Sequence, residues 1–308
     1  MDVFKNISII FISIFFESLP FLLLGSLISS IIEIYVSNDT ISKIIPKNKF
    51  LGSIVGVFLG FFLPACDCAV IPITKRLIKK KVPINVCISF MLASPIINPV
   101  VLLSTYYAFY NKNIKMFFYR LIFGIVISLI VGIIIGIIYN KKRVIKNDLL
   151  DEDEDSCECH NHEDYKHTFK NDFISIFKHT SQDMFEVVKY LMFGALLASL
   201  IQVLLPRSIL VTFNNNQVLS IITLMLFAYL ISLCSTSDSF VGKSLLSSFS
   251  EGSIMAYLLL GPMIDIKNTI VLLGNFKKNF TITLISLIFL VTFISCIVMV
   301  MFLWKISF

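Results

Sequence analysis

Eight apolar windows, each close to the length of a helical membrane crossing, leave this chain few folds to choose from. They run approximately over Ile7–Ile34, Phe50–Val70, Ile84–Phe109, Phe117–Tyr139, Met184–Leu205, Val218–Cys234, Ile254–Leu273 and Thr281–Leu303. A hydrocarbon core about 30 Å thick takes about 20 apolar residues per helix, and lipid admits only backbones whose polar groups are satisfied internally. With 56% of its 308 residues hydrophobic and only 15% charged, the chain is expected to be an all-α multi-pass membrane protein of about eight transmembrane helices. The first window is too long for the apolar core of a signal peptide and carries Glu17 and Pro20, so it reads as a retained span. The net charge of +6 comes from Lys and Arg in the segments between windows, where the positive-inside rule accounts for it without a nucleic-acid partner. Over eight crossings that rule puts both termini, with the central hydrophilic segment, on the cytoplasmic side of a bacterial-type inner membrane.

The chain also echoes itself. Phe16-Glu17 and Gly25-Ser26-Leu27 are matched by Phe185-Glu186 and Gly194-Ala195-Leu196, each with a glutamate eight residues before a glycine. Cys66-Asp67-Cys68 is matched by Cys234 and the polar run to Asp238, and Ala93-Ser94-Pro95-Ile96-Ile97-Asn98 by Leu260-Gly261-Pro262-Met263-Ile264-Asp265. Two repeats are therefore expected, residues 1–140 and 184–308, around an acidic Cys/His-rich cytoplasmic loop at 141–183. Four windows per repeat give both halves one orientation, a parallel repeat. An inverted repeat requires one interrupted segment per half to be re-entrant or to hide an extra crossing, and Val70–Pro83, with five basic residues, reads as such a short interfacial helix. Either way, paired Gly/Pro-interrupted segments point to a transporter's substrate site.

The interruptions carry the chemistry. Pro64 and Pro72 flank Cys66-Asp67-Cys68 and disfavour helix there. In an extended stretch residues i and i+2 share a face, so both thiols can meet one soft species such as trivalent arsenic or antimony, Cu(I) or Zn. Ser94, Pro95 and Asn98 break the third window, and Pro262, Asp265, Lys267 and Asn268 its counterpart, with Asp265 and Lys267 partly neutralising each other. These residues, with Cys234 and Asp238, make up the expected pathway. Cys87 and Cys296 read as small buried hydrophobes. Glu17 and Glu186 are the paired carboxylates expected to face the bundle interior and couple transport. Lys189 stands close enough along the helix to pair with Glu186, whereas Glu17 has no local cation.

Between the halves, Asp151-Glu152-Asp153-Glu154-Asp155 precedes Cys157, Cys159, His160 and His162. This tract has the composition of a metal-binding patch, but its spacing fits no structural zinc module. A flexible loop that captures a soft cation, or a solvated acidic linker, is expected there.

Together these ordered motifs resemble the predicted-permease family that includes the arsenical exporter ArsP and the YraQ proteins. The resemblance spans nearly the whole chain. It rests on Leu63-Pro64-Ala65-Cys66-Asp67-Cys68-Ala69-Val70-Ile71-Pro72, on Ala93 to Pro99, on Leu260 to Asn268, on Glu17 with Pro20 and Gly25, and on Cys234 to Phe240. It implies an eight-helix permease with a branch that extrudes trivalent organoarsenicals through membrane cysteines. By that analogy Cys66, Cys68 and Cys234 are thiol ligands, while Pro95, Asn98, Asp265 and Asn268 shape the pathway. Members usually carry Ser between the two cysteines; Asp67 adds a charge that favours a cation. The expected function is proton-driven efflux of a thiophilic metalloid or metal, with arsenical resistance as its readout. A permease for another small solute or a passive channel is the alternative, and a membrane thiol oxidoreductase a minor one. No phosphate-binding Gly-x-x-x-x-Gly-Lys-[Ser/Thr] loop occurs, so no ATP hydrolysis, other enzymatic activity or cofactor is expected.

Overall fold

The computed structural model describes residues 2–35, 46, 48–63, 66–110, 113–139, 144–145, 169–204 and 216–306. These residues form twelve helices: α1 (Asp2–Tyr35), α2 (Lys49–Phe62), α3 (Asp67–Lys79), α4 (Ile84–Ile97), α5 (Pro99–Phe109), α6 (Lys115–Ile138), α7 (Phe169–Leu204), α8 (Gln217–Ile231), α9 (Ser235–Leu245), α10 (Glu251–Met263), α11 (Ile266–Asn275) and α12 (Lys278–Ile306). No strand occurs among them beyond one isolated bridge, Ile145 to Phe276. Each of the eight apolar windows is mostly helical over its described residues. Six stretches are long and apolar enough to cross a membrane, and α2 and α8 are the two shorter apolar helices.

The breaks fall where the sequence removes helical hydrogen bonds and supplies caps instead. Asn98 leaves the helical region, accepts from the Val101 amide at 2.9 Å and sets Pro99 at the first position of α5, where proline's missing donor costs nothing. Asp265 does the same for α11, accepting from the Asn268 amide at 2.6 Å. The window Phe50–Val70 does not continue unbroken: α2 stops at Phe62, Cys66 caps α3, and Val70 belongs to α3. The helix that opens the second half begins at Phe169, fifteen residues before the boundary expected at 184.

Close glycine contacts fix the directions of these helices. A Cβ on Gly52, Gly56 or Gly60 of α2 would meet Asn85 and Val86, then Val86 and Ser89, then Ala93 and Ser94. Contacts advance together along both helices, so α2 and α4 run parallel. The intervening α3 must run back, which makes α2 and α3 a re-entrant hairpin that starts and finishes at one end of the bundle. On α6, Gly124 meets Ile96 and Ile97 whereas Gly136 meets Asn85, so α6 returns antiparallel to α4. In the second half Asp238 touches Tyr257 and Gly242 touches Leu258 and Ile254, so α9 runs against α10, and α8 and α9 form the matching hairpin.

The two halves are inverted. Ser29 donates to Asp183 at 3.2 Å and the Thr180 hydroxyl to Ser30 at 3.0 Å, while Ile14, a turn from the hairpin tips, packs on Ala195 and Ala198. The equivalent helices α1 and α7 are thus antiparallel. This overturns the expected parallel repeat, because each half makes three crossings, an odd number, once its hairpin is counted as entering and leaving by one end. The expected short helix at Val70–Pro83 is the greater part of α3, which spans Asp67–Lys79 and forms the returning arm of the hairpin. Gly252 meets Val300 and Asn113 bonds Glu251, whereas Tyr139 meets Asn279 and Thr283. The chain termini therefore share one end of the bundle, and the helix ends flanking the central segment lie at the other. The expectation that termini and central segment share a face is corrected accordingly.

Candidate functional site

The two hairpins meet tip to tip. Cys66 is the N-cap of α3 and Cys234 the N-cap of α9, each in extended conformation and neither bonding the helix amides through its side chain. A thiol is a poor acceptor, and the Cys234 sulfur's side-chain contact is with the Thr236 hydroxyl at 3.5 Å. Ser235, first residue of α9, donates to Asp67 Oδ1, first residue of α3, at 3.1 Å, closing the contact between halves. Only Cys66 is extended; Asp67 and Cys68 already lie in the first turn of α3. Cys66 and Cys68 nonetheless line the same cavity.

Around these tips lies a small cavity with about 300 Å³ of empty space, part of it open to the outside, lined by Glu17, Ser18, Cys66, Asp67, Cys68, Ser232, Cys234 and Lys267 together with Ile14 and Phe21. Lys267 Nζ stands 3.7 Å from Asp265 Oδ2 and 4.0 Å from Asp67 Oδ2, all three side chains buried. One ammonium between two buried carboxylates leaves a net negative charge where desolvation is costly. Binding a cation or a proton relieves it. Ser232 lies at φ 51°, a left-handed conformation that costs a non-glycine residue of order 1–3 kcal/mol. It ends α8, and its hydroxyl oxygen accepts from the Lys267 amide at 3.4 Å.

The remaining expected residues fall into distinct places. Ser94 donates to the Leu63 carbonyl at 3.0 Å and Asn98 to the Ser94 carbonyl at 3.0 Å; with Pro95 and Pro262 inside α4 and α10, they shape the breaks behind the tips rather than line the cavity. Asn268 is buried in the first turn of α11, its Oδ1 without a partner among the described residues. Asp238 is buried one turn into α9. Glu17 lines the cavity and is exposed. Glu186 pairs with Lys75 of α3 at 2.9 Å, not with Lys189, which is exposed: the return of α3 brings a cation from the other half closer than one on the same helix. Cys157, Cys159, His160 and His162 lie outside the described residues. Among the described residues no three His, Cys, Asp or Glu side chains are grouped to hold a metal ion.

Two features escaped the sequence. Lys75 and Arg76 looked like loop cations but are buried, Arg76 bonding Asp183 at 2.7 and 3.2 Å. Their signal was available: Lys75 follows Cys66 by nine residues, and Lys243 follows Cys234 by nine. Arg120, counted with the flanking charges, is fully buried.

A helical bundle of inverted halves with paired broken helices at its centre has the build of a permease, and comparison decides the matter: the family described as a predicted permease, ArsP_1, matches residues 3–301. The chain belongs to that family. A proposed subunit of a two-component membrane permease complex from Streptococcus mutans serotype c (strain ATCC 700610 / UA159) is 38% identical over 292 residues, covering 94% of this chain and 93% of that protein. The UPF0718 protein YcgR of Bacillus subtilis strain 168 is 39% identical over 285 residues, covering 92% of this chain and 94% of its own length. No solved structure matches. ArsP_1 permeases are multi-pass membrane proteins of bacteria such as these, and the cavity is buried among the crossings of one.

Proposed function

We propose that this permease is a secondary exporter of a small thiophilic species. The observation that carries the reading is the meeting of three thiols, Cys66, Cys68 and Cys234, in one cavity at the joined hairpin tips. Two neighbouring thiols suit a monosubstituted trivalent arsenical, which has two exchangeable positions, as well as Cu(I); antimonite and Zn are further substrates of the same softness. Asp67, Asp265 and Lys267 set the charge that the bound species must complement, Asn268 and Asp238 stand behind it, and Ser94, Pro95, Asn98 and Pro262 hold the breaks open.

Inverted repeats move a central site between two faces by exchanging the roles of their halves. Here Glu186 is tied to Lys75 while Glu17 is unpaired and exposed to the cavity. We read this as the state closed toward the central-segment end and open toward the termini, with Glu17 and Glu186 coupling the exchange to the proton gradient. Among the described residues the central-segment end carries Lys49, Lys75, Arg76, Lys79, Lys80, Lys81, Lys277 and Lys278, against Lys5, Lys115, Lys243 and Lys305 at the other. The positive-inside rule then makes it cytoplasmic and the termini external, reversing the orientation drawn from eight crossings. Cys157, Cys159, His160 and His162 would face the cytoplasm as a capture patch. The name of the Streptococcus mutans relative adds a second membrane component as partner.

Everted vesicles containing the permease test the reading. Proton-driven accumulation of a monomethylated trivalent arsenical, lost in Cys66→Ser and Cys68→Ser, is the expected result. Accumulation unchanged in both variants removes the thiol mechanism, and flux indifferent to the gradient makes the protein a channel.

A further inference from the structure

Outside the cavity, a second group of buried charges bridges four helices. Arg120 of α6 is 0% exposed. Its Nη1 donates to Thr105 of α5 at 2.8 Å and to Ser239 of α9 at 2.9 Å, and its Nη2 to the Ser235 carbonyl at 3.4 Å, while its Nε has no partner among the described residues. Asp238, adjacent to Ser239, is 2% exposed. Tyr257 of α10 donates its hydroxyl to Asp238 Oδ1 at 2.9 Å, yet Asp238 Oδ2 is buried and unpartnered among the described residues. That oxygen lies 3.0 Å from where a Cβ on Gly261 would stand, so the lack of a side chain there keeps space beside it.

A buried carboxylate oxygen without a hydrogen-bond donor is destabilised as an anion, and its chemistry offers two remedies: take up a proton, or draw in a cation. The groups facing Asp238 are Arg120 from α6 and Tyr257 from α10, with Asp67 from α3 and Asp265 ahead of α11 farther off. Arg120 spends its donors on Thr105, Ser239 and the Ser235 backbone instead of on Asp238, the arrangement expected when Asp238 is neutral.

We propose that Asp238 is a further proton-binding carboxylate of the permease, beside Glu17 and Glu186, with Arg120 as its switch partner. In one state Asp238 Oδ2 holds a proton taken from water, and Arg120 holds the α9 N-terminus through Ser235 and Ser239. When the O–H bond breaks and the proton leaves to water, the electron pair stays on Oδ2, and Arg120 turns to it, releasing Ser235. Ser235 also binds Asp67 at the hairpin contact, and Cys234 precedes it, so the proton state of Asp238 reaches the cavity through one residue. The inference rests on the permease reading but not on a thiophilic substrate.

Infrared pH titration of the purified full chain in lipid nanodiscs tests it, with no substrate needed. A protonated-carboxyl band present in the wild type is expected to vanish in Asp238→Asn and to persist in Glu17→Gln, Glu186→Gln and Cys66→Ser. Tyr257→Phe, which keeps the ring packed on Phe227, is expected to move the band to higher frequency by deleting a hydrogen bond to the carboxyl. A band unchanged in Asp238→Asn overturns the assignment; should that variant not fold, a band unmoved in Tyr257→Phe overturns it equally. Loss of arsenical flux in the cysteine variants leaves the band in place, so the two readings fail separately.

Discussion

Lys75 Nζ lies 2.9 Å from both carboxylate oxygens of Glu186, joining the first hairpin to the second half, whereas Lys243 and Glu17, their counterparts under the internal repeat, form no ion pair. Equivalent residues in unequal contacts are what an inverted repeat shows when caught in one of two states. Breaking the formed pair should therefore shift the balance between faces. Lys75→Ala and Glu186→Gln are expected to increase labelling of Cys66 by a membrane-impermeant thiol reagent applied at the central-segment face. Each 1.4 kcal/mol removed from the closed state is worth about tenfold in that equilibrium. The double reversal Lys75→Glu with Glu186→Lys should restore the wild-type rate; labelling equal in all variants would mean the pair does not gate.

Arg76 and Asp183 form the tighter neighbouring pair, with Ser29 as a third partner. Both side chains are nearly fully buried, so removing one leaves an uncompensated charge, a loss of about 3–5 kcal/mol. Asp183→Asn should lower the thermal midpoint in detergent markedly. Arg76→Lys should lower it too, because an ammonium cannot reproduce the two-point geometry of the guanidinium. A midpoint within error of the wild type would show that α1, α3 and α7 are held by apolar packing alone.

Much of this architecture could be read from the sequence, and the unread part has a common cause. Apolar length located the long helices but not α9, which lies between two windows, and the Cys66, Asn98 and Asp265 breaks announced themselves through proline and capping residues. Helix direction did not, because Lys49–Phe62 looks as apolar as a true crossing; its return depends on where Gly52, Gly56 and Gly60 find partners. The same blindness misplaced Glu186. Sequence proximity offered Lys189, but the return of α3 delivered Lys75. Arg120 was hidden for a related reason: flanking charge and buried charge look alike until Thr105 and Ser239 are brought beside it.

Gly56 and Gly132 are two of the places where neighbouring elements approach most tightly. A Cβ on Gly56 would stand 2.4 Å from the Val86 carbonyl oxygen, and one on Gly132 1.9 Å from Ser89 Oγ. Small residues let such backbones touch inside a membrane, and overfilling them costs about 1–3 kcal/mol. Gly56→Ala meets rigid backbone and should destabilise more than Gly132→Ala, whose obstacle is a side chain that can rotate. Thermal unfolding of the two variants in one detergent gives the order; the reverse order would mean that α2 yields more readily than Ser89.

Six crossings and two re-entrant hairpins make a topological prediction that eight crossings do not. Antiparallel α1 and α7 put the amino terminus at the end opposite the start of α7, and the contact of Gly252 with Val300 brings the end of α12 to that same end. An epitope at either terminus should therefore be accessible on one face of the membrane, and an epitope inserted between Lys141 and Lys166 on the other. With eight crossings all three would share a face. The decisive single residue is Lys243. On the six-crossing layout the second hairpin returns it to the face of the termini, so a cysteine there should react with impermeant reagent in intact cells, and one at Lys80 only in everted vesicles. Reaction of both from the same side would restore eight full crossings, and with them a hairpin tip that passes through the membrane instead of stopping at Cys66 and Cys234.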